Sequence, residues 1–549
     1  MRGYGSLTNH PAGLRLLHVP NRSLPSAPSN SSRTLKRARR ACAEGELGKA
    51  ERLCAEVLQQ HPDSFDALHC LGEIHFKRGR LDAALAWFQE ALKRDLERAE
   101  GFASLGLVFQ SLGQLERALV AYDEGLRLAP DDAELLNRRG VVLLDLGRLG
   151  EALQNFERLV AAAPHNIDAL GNYANALFKL NRPAEAIAVY DRALARAPRN
   201  AQLLTNRAIA LRRLDRPHEA LASVARALSV SPNFAPARFV DAAVRLTLGD
   251  FAAGWRGYEA RWGGALSAQR RNFTAPLWLG QEPLAGKTIL LHAEQGFGDT
   301  IQFVRYAPLV AARGAEVVLE VQPQLVRLME GMPSVTRVVA RGAPLPRFDC
   351  QCPLLSLPLA FATDLTTIPA LLPYLTPADA DVAAWRARLP PPRGRLRIGF
   401  AWSGARAHDN DVNRSLRLET LAPLFDLTDI DFVSLQHEVR EEDAALLHSR
   451  RDIVRIGQDF RDFADTAAAL ASLDAVIAVD TALAHLAGAM GKPLYLLLPF
   501  AADFRWLRER GDSPWYPSAR LIRQPRFGDW DGAVAALRGA LIEFADAAG

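Results

Sequence analysis

A pattern that recurs every 34 residues runs seven times through the first half of this 549-residue chain. A fixed period of that length restricts the fold to a stack of like helical units. Small residues stand at Ala50, Ala84, Ala118, Ala152, Ala186 and Ala220, and four positions on come Cys54, Phe88, Tyr122, Phe156, Tyr190 and Val224. Residues four apart share a helix face, so each unit offers a slot for close helix approach beside a larger side chain. Such a unit buries its apolar face only against its neighbours in the stack.

Other positions repeat in step. Leu71-Gly72 and Leu105-Gly106 fall in the first helix of their units, and Gly79, Gly113 and Gly147 fall near the inter-helix turn. Pro62, Pro130, Pro164, Pro198 and Pro232 stand where each second helix ends, because proline cannot continue a helix. The pattern resembles tetratricopeptide repeats. It departs at Leu96, in place of a terminal proline, and at Asn181, in place of a turn residue. The last unit, residues 249–261, is degenerate, with Gly254 at the small position. Decay there is expected where an array caps itself or docks onto something else.

At 49% hydrophobic and 23% charged residues, the composition is ordinary for globular protein and predicts about three or four domains. A net charge of +4 gives no reason to expect nucleic acid or an anionic membrane as partner. The basic run Lys36-Arg37-Ala38-Arg39-Arg40 falls by register in the first helix of the first unit and reads as a solvated face. Five cysteines, Cys42, Cys54, Cys70, Cys350 and Cys352, form neither a zinc quartet nor a redox pair by spacing, which fits reduced thiols in the cytoplasm. Residues 1–32 are rich in Ser, Pro and Asn, contain no acidic residue and lack the apolar run of a secretory signal. They read as a disordered leader, with a transit role as the alternative. The longest apolar region, residues 475–500, is broken by Asp480, His485 and Lys492, so no integral membrane segment is expected.

After the repeats (residues 33–262) and a linker (263–286), the period changes from helix to strand-loop-helix. Residues 288–293 read as a strand, Gly296-Phe297-Gly298-Asp299-Thr300 as a loop, residues 301–313 as a helix and residues 315–321 as a second strand. Beyond Pro390-Pro391-Pro392-Arg393-Gly394, strands are predicted at residues 396–402, 431–435, 475–479 and 493–498, with a final helix over 530–545. Alternation of this kind predicts parallel sheets flanked by helices, with ligands at the strand C-termini. Two such lobes, 287–389 on the acceptor side and 395–549 on the nucleotide-sugar side, describe an α/β GT-B fold of two Rossmann-like lobes behind an α-helical solenoid.

Three loops carry candidate chemistry. Gly296 and Gly298 can bring backbone close to a ligand, with Asp299 opening the next helix as a functional carboxylate or as an N-cap. Ile301 occupies the place of the third glycine of the dinucleotide fingerprint, which argues against a nicotinamide or flavin cofactor. Asp480-Thr481 ends a strand and opens a helix, where free amides and the positive dipole end suit a diphosphate. His485, one turn on, can reach the same ligand or simply be packed. The polar loop from Ser403-Gly404 to Arg414 offers a forked donor for phosphate. Its Asp409-Asn410-Asp411 has the look of a metal-binding acidic motif and reads better as a solvated loop.

Together the Gly298-Asp299 turn, the Asp480-Thr481-x-x-x-His485 motif and the basic loop between them resemble the heptosyltransferases, the ninth glycosyltransferase family, over roughly residues 285–545. The resemblance implies an inverting GT-B enzyme needing neither metal nor other cofactor. It makes Asp299 the catalytic base and Asp480, Thr481 and His485 contacts for donor sugar and diphosphate. Arg414 falls where that family often has lysine, so the donor could differ from ADP-heptose. Helical repeats ahead of a GT-B half are also similar to the layout of protein O-linked N-acetylglucosamine transferases. Expected partners are therefore a nucleotide-diphosphate-sugar and a protein or peptide on the concave face of the repeats. Two alternatives stand beside protein glycosylation: a transferase of surface-polysaccharide assembly tethered by its repeats, and a non-catalytic scaffold that senses nucleotide-sugar.

Overall fold

The computed structural model describes residues 29–264, 266–391 and 393–548. Its first helix spans Ser29–Ala43, so residues 29–32 of the expected leader are helical, and the rest of that leader lies outside the described residues. The chain forms two compact units that divide between Ala162 and Ala163. The first carries four helical hairpins, ending with the helix Leu149–Ala162. The second carries three more, from Ile167–Lys179 to Phe251–Tyr258, together with all ten strands found among the described residues. The boundary expected at residue 262 therefore cuts through a compact unit.

Local chemistry explains the hairpins. At the turn between paired helices one residue is left-handed in every unit: Gly45, Gly79, Gly113, Gly147, Asn181, Asp215 and Gly249, with φ from 53° to 83°. Glycine adopts this conformation without a Cβ clash, and Asn and Asp are the side chains that tolerate it best. Ser64, Asp132, Asn166 and Asn200, one repeat position in four units, cap first helices by accepting from the amides of Ala67, Leu135, Ala169 and Leu203. Each such cap stabilises by about 1 kcal/mol. The alanines at the small positions are fully buried. Opposite them, a Cβ on Gly72, Gly106 or Gly140 would lie 2.3–2.5 Å from the ring of Phe88, Tyr122 or Phe156. Close packing thus sets both halves of the repeat signature. Spacing alone did not suggest that Cys42, Cys70 and Glu73 bring their side-chain ligand atoms within 4.8 Å of one another. Both thiols lie in an apolar cluster with Ala38, Leu53 and Ile74.

The α/β part contains two parallel sheets. The first has strand order β3-β2-β1-β4, formed by Thr288–His292 (β1), Glu316–Val321 (β2), Arg337–Ala340 (β3) and Cys350–Pro353 (β4). The Cys350-Gln351-Cys352 segment is thus a strand. The expected linker is partly built into this sheet, since Trp278 N–H donates to Gln351 O (2.8 Å) and Gln351 N–H donates to Pro276 O (3.0 Å). The second sheet, order β10-β9-β8-β5-β6-β7, comprises Leu396–Ala401 (β5), Ile430–Ser434 (β6), Val454–Arg455 (β7), Ala475–Val479 (β8), Leu494–Leu498 (β9) and Ala519–Arg523 (β10). Strands β8 and β9 are buried throughout, as sheets covered on both faces require. The helix expected over residues 301–313 is broken: Phe297–Phe303 is α-helical, Val304–Tyr306 is 3-10, and a short helix resumes at Ala307–Ala311 around Pro308. The helix Asp379–Arg388, placed by sequence in the first lobe, packs on the Phe463–Ala471 helix of the second, with Trp385 and Phe460 rings 5.0 Å apart.

The degenerate last hairpin docks within its unit. The buried Trp255 ring meets Phe303 (6.0 Å between centroids), Phe504 (5.7 Å) and Trp515 (6.4 Å) edge-on. Arg261, just beyond that hairpin, is buried and donates to Glu294 (3.1 Å), two residues past β1, and to Ser356 (2.8 Å). These contacts explain why the unit departs from the repeat pattern, for its apolar face meets α/β lobes rather than another hairpin.

Candidate functional site

In each sheet the strand order reverses direction at a switch point, between β1 and β4 and between β5 and β8. Ligands of open α/β sheets bind beyond the strand C-termini at such places. The loops after β1, β5 and β8 are those that carry Gly296–Asp299, Ser403–Arg414 and Asp480-Thr481. They line one cavity of about 860 Å³ in the second unit, with the residues following β9. The helices of the fifth to seventh repeats supply a further wall, including Phe178, Ile209, Arg212 and Arg213.

On the first-sheet side Gly296 has extended backbone (φ −73°, ψ 173°) that any residue adopts. Gly298 is needed for a different reason from ligand approach, since a Cβ there would lie 2.7 Å from the His485 ring. Asp299 stands in the first turn of the Phe297–Phe303 helix, and its Oδ2 accepts from the Gly296 amide at 2.9 Å. Its Oδ1 is paired with the Arg505 guanidinium. Arg505 also donates to Asp503 (2.6 Å) and Gln302 (2.7 Å). Burial opposes its charge, yet Asp503 and Asp299 together push its pKa above the ordinary arginine value. Asp299 therefore lines the cavity with both oxygens already engaged. A carboxylate has about four acceptor positions, so capacity for a further hydroxyl remains.

On the second-sheet side Thr481 is the N-cap of the Ala482–Ala489 helix but makes no side-chain cap; its hydroxyl donates back to Val479 O at 3.3 Å. Arg414 Nη1 donates to Asp480 O at 2.8 Å. Gly404 makes room for that guanidinium, since a Cβ there would sit 2.7 Å from Nη2. Ser403 is clamped through its backbone, its carbonyl accepting from Gln436 Nε2 at 3.0 Å, while its buried hydroxyl has no partner. The Asp409-Asn410-Asp411 stretch is not wholly solvated as expected. Asp409 is exposed, but Asp411 is buried, accepting from Arg440 (2.6 Å) and Ser415 (2.5 Å), which pins the loop.

His485 is packed. It is buried against Trp506 (5.3 Å, stacked) and hydrogen-bonded through Nδ1 to Tyr516 Oη at 3.0 Å. Burial, with Arg505, Arg305 and Arg414 nearby, holds its pKa well below the ordinary histidine value, so it stands 3.8 Å from Asp480 as a neutral ring. Burial and neighbouring Asp503 push Asp480 up to about 6 against the opposing pull of Arg505 and Arg414. A carboxyl whose folded-state pKa is raised favours folding when protonated. That contribution is complete below 3.8, the ordinary value, and is lost as pH rises through about 6. Asp480→Asn is therefore expected to be about 1–3 kcal/mol more stable than wild type at neutral pH, the two converging below about pH 4 in urea titrations. Equal stabilities at neutral pH would show that the Asp480 carboxylate carries no burial cost.

Sequence reasoning missed Asp503 and Arg505, which follow β9, and the repeat-wall arginines. An acid and a base just past a strand C-terminus were a usable signal for the first pair. Nothing in the repeat pattern singles out Arg212, because its place depends on how the last hairpins meet the sheets.

Family models of the tetratricopeptide repeat match residues 41–106 and 143–209, and residues 104–167. The chain carries tetratricopeptide repeats. Protein FlbA of Caulobacter vibrioides is 29% identical over 337 residues, 57% of this chain and 56% of that protein; the chain thus spans little more than half the length of this curated relative. Among solved structures, a tetratricopeptide repeat protein from Parabacteroides merdae is 19% identical, with a TM-score of 0.37 over 43% of this chain and 94% of its own. YrrB, described as a TPR protein with an unusual peptide-binding site, is 18% identical, with a TM-score of 0.30 over 34% of this chain and 95% of its own. Among the described residues no helix is long and apolar enough to cross a membrane.

Proposed function

We propose that this protein is an inverting glycosyltransferase of GT-B type, moving a sugar from a nucleotide-diphosphate-sugar to a hydroxyl on a protein held by its repeats. The observation that carries this reading is a single cavity lined by Asp299 after β1, by Arg414 and by the uncapped helix start at Thr481. In-line displacement at an anomeric carbon needs a base for the acceptor hydroxyl and stabilisation for the departing diphosphate. Asp299 takes the proton, and Arg414 with the amides after Thr481 offsets the leaving-group charge. Asp480 accepts hydrogen bonds from donor-sugar hydroxyls. Packed against Gly298, His485 serves by shape, holding the two loops together. A repeat array presents a concave surface for extended peptide, and its last hairpins wall this same cavity, which favours a protein acceptor over a glycan.

A panel of nucleotide-sugars tests this on the intact chain. One donor is expected to raise the melting temperature and to be slowly hydrolysed. No response to any donor would sink the reading. A second reading, a scaffold that binds nucleotide-sugar without turnover, draws on the engagement of both Asp299 oxygens; it predicts thermal stabilisation with no hydrolysis and no transfer.

A further inference from the structure

The cavity is lined by five arginines, and the side chains of four make at least one hydrogen bond. Arg213 donates to Asn181 Oδ1 at 3.1 Å and lies over Phe178, Arg414 donates to Asp480 O at 2.8 Å, Arg461 is paired with Asp465 at 2.8 Å, and Arg505 serves Asp299 and Asp503. The fifth, Arg212, comes from the repeat helix Ala201–Arg213, and its side chain makes no hydrogen bond or ion pair among the described residues. Its surroundings are partly buried and include Ile209 and Val244. A recessed guanidinium with no hydrogen-bond acceptor is costly to the folded protein, and that cost is offset when a ligand supplies an anion.

We infer that Arg212 binds a carboxylate of the acceptor, so that the substrate class is a polypeptide hydroxyl with an acidic residue close to it. This rests on the transfer reading above. Two features assign the anion to the acceptor rather than the donor. Arg212 belongs to the repeat helix Ala201–Arg213, the wall that the transfer reading gives to the acceptor, and not to a strand-end loop. The opposite side, at Arg414 and Thr481, already has its own groups for a diphosphate. The end of the Arg212 helix is pinned: Asp215, at the left-handed turn three residues on, takes two hydrogen bonds from Arg508 of the second lobe at 2.8 and 2.9 Å.

The test uses the full-length protein and labelled peptides centred on Ser or Thr, with flanking Asp or Glu in one set and Asn or Gln in the other. Binding is read by fluorescence anisotropy, and UDP, ADP and GDP binding is measured in parallel. Wild type is expected to hold acidic peptides about tenfold tighter than their amide counterparts. Arg212→Gln should erase the difference, Arg212→Lys should restore part of it, and nucleotide binding should stay the same in all three. Equal binding of the two peptide sets by wild type overturns the inference, as does a preference that survives Arg212→Gln. So does a loss in Arg212→Gln confined to the nucleoside diphosphates, which would make Arg212 a donor residue. An acidic preference that depends on Arg212 in a protein that turns over no donor would support the carboxylate site and count against the transfer reading alone.

Discussion

Asp299→Asn is expected to lower sugar transfer by about 10²–10⁴-fold, the range for loss of a positioned general base. Donor binding should change little, because the proposed phosphate groups Arg414 and Thr481 belong to other loops. Asparagine keeps the shape and can still accept from the Gly296 amide, and Arg505 keeps Asp503 and Gln302 as partners. The fold should therefore survive, which a melting curve can check. Single-turnover rates alongside calorimetric donor titrations separate the two effects. Turnover equal to wild type would remove Asp299 from the base role, and lost donor binding would move it to the donor side.

Trp255→Ala should cost about 3–5 kcal/mol, as expected when a buried tryptophan is truncated within a close-packed core. The ring is 2% exposed and touches the first lobe at Phe303 and the second-lobe segments at Phe504 and Trp515. With Phe251 and Tyr258, which also meet Trp515 and Phe504, it joins the last hairpin to both lobes. Urea unfolding of the full chain should show the second unit's transition moving to lower denaturant, and transfer should fall with it, because the repeat wall of the cavity loosens. A loss of about 1 kcal/mol or less, ordinary for a lightly packed site, would mean that the hairpin is held chiefly by polar contacts such as Gln295 to Tyr258.

Much of the helical part was legible because each repeat solves the same local problem. The buried alanines, the aromatic residues opposite Gly72 and Gly106, and the turn glycines each satisfy a steric demand inside one hairpin. Asn181 looked like a departure and proved to occupy the same left-handed turn as the glycines. Strands β1, β2, β5, β6, β8 and β9 were legible as apolar runs, whereas β3, β4, β7 and β10 were not anticipated. Strand β7 is two residues long, too short for any period, and β3 is largely exposed or half-buried on the sheet edge.

The candidate residues after β1, β5 and β8 could be named in advance because a strand C-terminus followed by polar or glycine-rich loop is a local pattern. Their partners could not. Asp299 meets Arg505 across 206 positions, and Gly298 owes its lack of a side chain to His485. By itself, the amino-acid order determined the repeats, their turns and the parallel α/β layout, since these follow from contacts within a few dozen residues. Only the tertiary structure decided that the last three hairpins belong to the same compact unit as the sheets and that their arginines line its cavity. The reason is that desolvation and ion pairing depend on which surfaces are brought together, and no periodicity along a chain records that.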